Sequence, residues 1–134
     1  MANYVIECLL DLPVVMVTYQ PGYGGDEDIA AFADAVIDVF ENLDYRAYLM
    51  FNMSSAKLSF NDIMQSAQRI LRSENSPIKH PNFIALGMIT DSKMFRTVAK
   101  GLNSAAFGNI KVQVFATRDE ALAWARMENA KRSG

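Results

Sequence analysis

The sequence predicts an α/β domain with a mostly parallel five-stranded sheet, in the order β-β-α-β-α-β-α-β-α. Three observations predict it. Stretches rich in β-formers alternate along the chain with stretches whose apolar residues recur at helical spacing. That alternation argues for parallel strands joined by right-handed helical crossovers. The inner strands "VVMV", "AYLMF" and "FIALGMI" are apolar on both pleat faces, as in a sheet buried on two sides. At 134 residues, 51% apolar and 21% charged, the chain has the size and composition of one domain with a proper core.

Taken in order, "YVIECLL" (4–10) and "VVMVTY" (14–19) read as a hairpin joined through Asp11, Leu12 and Pro13. The glycine-rich "YQPGYGG" (19–25) reads as a loop. From Asp26 the apolar positions Ile29, Phe32, Ala33, Val36, Ile37, Phe40 and Leu43 mark an amphipathic helix, and Asp26, Glu27 and Asp28 suit the positive end of its dipole. "AYLMF" (47–51) is the third strand. A second helix is expected from Ser59, with Asp62 three residues on and a stripe of Phe60, Ile63, Met64, Ala67, Ile70 and Leu71.

The loop "SENSPIKHPN" (73–82) leads to the strand "FIALGMI" (83–89). A third helix begins near Thr90 or Asp91, buries Met94, Phe95, Val98 and Leu102, and ends near Phe107, before Gly108. "KVQVF" (111–115) is the last strand. "TRDE" (117–120) is a capping box that opens a final helix carrying Leu122, Trp124 and Ala125. Residues 129–134 are expected to fray.

Formal net charge is −2, unevenly spread. Residues 1–64 hold ten acids and two bases, residues 65–111 two acids and seven bases, residues 112–134 three acids and four bases. Such a dipolar chain suits an oriented partner and not general nucleic-acid binding, which calls for a net basic domain. The N-terminus lacks the basic leading region of a signal peptide, and Glu7, Asp11 and Pro13 interrupt its apolar run, so no membrane span is expected. Cys8, the single cysteine, is expected to be a small buried hydrophobe, and the cytoplasm is the expected compartment.

Candidate sites are few. "PGYGG" lacks the lysine and Ser/Thr of a P-loop, and the three carboxylates after it would repel an anion. The single His80 rules out a multi-histidine metal centre; it is either a lone acid/base or a loop residue. Lys93, Arg96 and Lys100 share one helical face, which is either solvated or a contact for an acidic partner or anionic head group. Ser54 and Ser55 lie in the turn after the third strand, and Ser59 is the residue a helix N-cap requires. No base is evident to activate any of these serines, and the G-x-S-x-G turn is absent. The chain is therefore expected to be non-catalytic, with no cofactor.

The initial hairpin, the strand–serine turn–helix at 47–71 and the ending "VQVFATRDEALAWA" (112–125) resemble the STAS-like, anti-sigma-factor-antagonist-like superfamily. "HPNFIALGMIT" and "AKGLNSAAFGNIKV" resemble a branch of it made of small uncharacterised bacterial proteins. The resemblance covers nearly the whole chain, as one domain over residues 1–134. It implies a right-handed (βα)4 superhelix after the hairpin, an architecture shared with CRAL-TRIO lipid-transfer proteins. The family's phosphoacceptor motif, of the form Asp-Ser-Ser-Gly, would fall near Phe60-Asn61-Asp62-Ile63, which has neither serine nor glycine. Phosphoswitch chemistry is therefore not carried over.

The expectation is a binding or regulatory module acting through protein–protein interaction, with Ser54, Ser55, Ser59, Lys93, Arg96 and Lys100 as its contact residues. The alternative is a carrier or sensor of a small apolar or lipid-like ligand held between helices and sheet. Helices gathered on one side would leave apolar sheet uncovered, so a homodimer or another protein partner is expected.

Overall fold

The computed structural model describes residues 3–53, 65–66, 69–70, 72, 76–93, 96–97 and 112–133. Five strands form one sheet in sequential order: β1 (Tyr4–Cys8), β2 (Val14–Tyr19), β3 (Ala47–Asn52), β4 (Phe83–Ile89) and β5 (Val112–Phe115). β1 and β2 pair antiparallel, and every later pairing is parallel. The expected hairpin-plus-parallel sheet is the one observed. β1 is shorter than expected: Leu9 donates its N–H to the Val14 carbonyl at 3.0 Å, and the chain then turns through Leu10–Pro13.

The first helix (Gly25–Glu41) buries Ile29, Phe32, Ala33, Val36 and Phe40, the stripe its periodicity predicts. Its carboxylate Asp28 accepts from the Gly24 N–H at 3.0 Å and closes the N-terminus in place of an N-cap side chain. Gln65, Ser66, Arg69, Ile70 and Arg72 are helical, as are Lys93, Arg96 and Thr97, within the stretches where the second and third helices are expected. Thr90, Asp91 and Ser92, where the third helix is expected to begin, precede the helical Lys93, and the remaining residues of those two stretches lie outside the described residues. The C-terminal helix (Arg118–Ser133) opens on the expected capping box: Thr117 Oγ1 accepts from the Glu120 N–H at 3.1 Å, and Glu120 reaches back to the Ala116 N–H at 3.1 Å.

The two terminal helices lie on opposite faces of the sheet. Val15, Val17, Tyr19, Leu49, Leu86, Met88 and Val112 face the first helix. The alternate residues Val14, Met16, Tyr48, Met50 and Ile89 pack under Ala121 and Ala125 of the C-terminal helix, with Leu9, Leu12 and Trp124 alongside. Arg118–Glu7 and Arg126–Asp11 ion pairs, each at 3.8 Å, link that helix to the hairpin. Gly87 lets this layer close, since a Cβ there would stand 3.1 Å from Met50 Cγ and 3.4 Å from Phe115 Cε2. A bulge adds one residue to β4: Ala47 pairs with Phe83 but Leu49 with Leu86.

Three expectations need correction. Helices are not gathered on one side, so an uncovered sheet face is not what would call for a partner. Val14, Met16 and Met50 on the second face are fully buried. Residues 129–133, expected to fray, continue the C-terminal helix, where Lys131 Nζ meets Glu128 at 3.5 Å across one turn. Cys8 is exposed, because it ends the edge strand beyond the cover of either helix.

Candidate functional site

Four parallel strands end side by side, and their last residues form one rim: Thr18 pairs with Asn52, Asn52 with Ile89, and Ile89 with Phe115. Pairing continues past the strands, with the Met53 N–H donating to the Ile89 carbonyl at 3.0 Å and the Thr90 N–H to the Phe115 carbonyl at 2.8 Å. Met53 and Thr90 therefore leave the sheet side by side. The carboxyl ends of parallel strands are where open α/β sheets place their ligands.

Polar side chains are buried along this rim. Asn52 and Thr90 are buried at the ends of β3 and β4, and Thr90 Oγ1 accepts from the Ser92 N–H at 3.1 Å, which starts the following turn. Beneath them, Tyr23 of the glycine loop and the helical Ser66 join hydroxyls at 2.7 Å, both buried. Tyr23 packs edge-on to Tyr19 with ring centroids 4.8 Å apart, and Tyr19 stacks on Phe32 at 5.1 Å. Burial, and then the neighbouring Tyr23, hold the Tyr19 phenol well above its ordinary range, so it is neutral.

The glycine loop is bound down. The Tyr23 N–H donates to the Gln20 carbonyl at 3.2 Å, and Gly22 and Gly25 adopt φ values of 95° and 85°, which only glycine takes without strain. Asn3 Nδ2 donates to the Gly22 carbonyl at 3.2 Å and to Asp28 Oδ2 at 3.1 Å. With Asp28 already occupying the helix N-terminus, this loop is built as a closed turn and not as an anion cradle.

Among the contact residues expected from sequence, Lys93 and Arg96 are exposed and follow the turn after β4. Ser54, Ser55, Ser59 and Lys100 lie outside the described residues. His80 sits at the other end of β4, where its Nδ1 accepts from the Asn82 N–H at 3.1 Å and its ring meets Phe40 edge-on at 6.3 Å. Asn82 in turn donates Nδ2 to the Leu43 carbonyl at 3.0 Å, so His80 is part of a loop brace. At that same end, Cys8–Pro13 and Tyr45 line a shallow open depression of ≈ 430 Å³.

Among the described residues, no group of three or more His, Cys, Asp or Glu side chains is placed to hold a metal ion. None of the described helices is long and apolar enough to cross a membrane. The sequence reading missed the buried Tyr23–Ser66 pair, which joins residues 43 positions apart. Nothing in local spacing signals such a contact.

This architecture is that of the SpoIIAA-like, STAS-like fold. The structure is similar to the crystal structure of an uncharacterised protein of the DUF3478 family, with a SpoIIAA-like fold, from Shewanella loihica PV-4. The two align with a TM-score of 0.63 over 93% of this chain and 95% of that one, at 12% sequence identity. At that identity the likeness is one of fold. No protein-family model matches the chain. No curated protein matches it.

Proposed function

We propose that the chain is a non-catalytic, cytoplasmic binding module of regulatory type that engages a protein partner at the carboxyl-end rim of its sheet. The observation that carries this reading is the adjacency of the β3 and β4 ends at the rim. The chain leaves β3 and β4 side by side, the Met53 N–H donating to the Ile89 carbonyl, and the described residues Lys93 and Arg96 follow β4. The exposed Lys93 and Arg96 side chains suit an acidic partner surface. The only histidine is engaged in a brace at the opposite end of β4.

Site-specific photo-crosslinking in cells tests the reading. A crosslinker at position 55 or 96 is expected to capture one discrete protein, and one at position 79, at the far end, is not. Equal capture from position 79 would sink the proposal.

The carrier reading has narrower support. Between the first helix and the sheet the space is filled by Tyr19, Phe32, Phe40 and Leu49, each at most 3% exposed. A ligand there would have to displace packed rings. Native mass spectrometry of freshly purified protein separates the two readings, because a carrier would show extra mass that organic extraction removes.

A further inference from the structure

β1 is one of the two edge strands of the sheet, β5 being the other. In the β1–β2 ladder the Leu9 N–H donates to Val14 and the Gln20 N–H donates to the Asn3 carbonyl. Antiparallel pairing alternates, so residues 3, 5, 7 and 9 turn their backbone groups toward β2. Tyr4, Ile6 and Cys8 therefore present their N–H and C=O groups outward. Among the described residues no strand pairs with that edge. The strand "YVIEC" lacks three of the usual edge protections: it has no proline, no lysine and no bulge. Its one charge, Glu7, is matched within the chain by Arg118.

We propose that β1 is the interface of a homodimer in which two copies of the strand pair antiparallel about a two-fold axis at Ile6, joining the two sheets into one. Three symmetric registers pair two or more of the outward-facing residues of the strand. An axis at Val5 leaves Cys8 without a partner strand residue, and an axis at Glu7 sets two carboxylates opposite each other. The axis at Ile6 pairs all three outward residues, Ile6 with Ile6 and Tyr4 with Cys8. It also faces each Glu7 with the partially exposed Val5 of the other copy, an uncharged neighbour. The interface lies on the sheet edge, apart from the rim, and does not depend on what the rim binds.

The register dictates the test. Light scattering after size-exclusion chromatography at about 100 µM is expected to give twice the 14.9 kDa chain mass. Val5→Glu sets a glutamate against Glu7 twice per dimer and is expected to weaken association roughly tenfold or more, whereas Val5→Lys keeps it. Val5→Glu combined with Glu7→Lys restores the pairing. Circular dichroism checks that each variant folds.

A second measurement needs no substitution. Cys8 is the only cysteine and is exposed, and the proposed register separates the two Cys8 Cα atoms by four strand residues, roughly 14 Å. A bismaleimide of about that reach is expected to link the two chains of the native protein, and a markedly shorter one is not. A monomeric wild type at this concentration, a dimer indifferent to Val5→Glu, or efficient linkage by the short reagent would each overturn the proposal. Loss of dimer with unchanged capture from positions 55 and 96 leaves the rim reading standing by itself.

Discussion

The two faces of the sheet are covered in different ways. On the first-helix face the cover is aromatic: Phe32 alone meets Tyr4, Tyr19, Tyr23 and Phe51, at ring separations of 5.1 to 5.7 Å. On the opposite face the C-terminal helix brings the small residues Ala121 and Ala125 down onto Met16, Met50 and Ile89, with Trp124 at the side against Tyr48. Large rings lock a helix by shape, whereas alanines permit close approach and leave flexible methionines to fill the gaps. The first face should therefore be intolerant of truncation and the second more forgiving.

Phe32→Ala against Trp124→Ala puts this contrast to its hardest test. Phe32 is fully buried at the centre of the ring cluster, so its truncation should cost about 3–5 kcal/mol. Trp124 is only partly buried, and its loss should cost roughly 2 kcal/mol despite the larger side chain. Urea midpoints with unchanged slopes would measure both. Equal losses would mean that the two faces do not differ in the way their packing suggests.

What was legible in the sequence follows from what periodicity encodes. Unbroken apolar runs in β2, β3 and β4 announced a sheet buried on both sides, and both sides are covered. Helical spacing announced that Ile29, Phe32 and Phe40 are buried. It carries no information on which sheet face a helix takes, which is why the second cover was not foreseen. Cys8 misled for a related reason: a β-like run looks the same at an edge as at the centre. At the candidate site, the exposed face of Lys93 and Arg96 could be read from spacing. The buried Asn52, Thr90 and Tyr23–Ser66 group could not, because it forms only when strand ends and a loop come together.

Gly87→Ala probes the tighter contact of the second face. The added methyl meets the middle of Met50 and the edge of Phe115, and methionine can shift its rotamer to make room. The expected cost is about 1 kcal/mol, at the low end for overpacking. Truncating Met50 to alanine should remove most of that cost, so a double-mutant cycle would give a favourable coupling. No coupling would place the strain on Phe115 instead.

The smallest expected effect is set by pH and by the first face. Burial lifts the Tyr19 phenol above its ordinary value of 10.0, while in the unfolded chain it ionises near that value. A raised folded pKa leaves stability intact below pH 10 and lowers it as pH rises further, because only the unfolded state then sheds the proton. One unit above that threshold the loss traced to Tyr19 should be about 1 kcal/mol, and Tyr19→Phe should abolish that share. Comparing urea midpoints one unit below and one unit above pH 10 measures it. Trp124, the only tryptophan, reports the other face during the same alkaline titration. If its fluorescence follows tyrosinate absorbance with one midpoint, the two covers unfold as a unit. A later Trp124 transition would mean that the alanine-lined face survives the loss of the aromatic one.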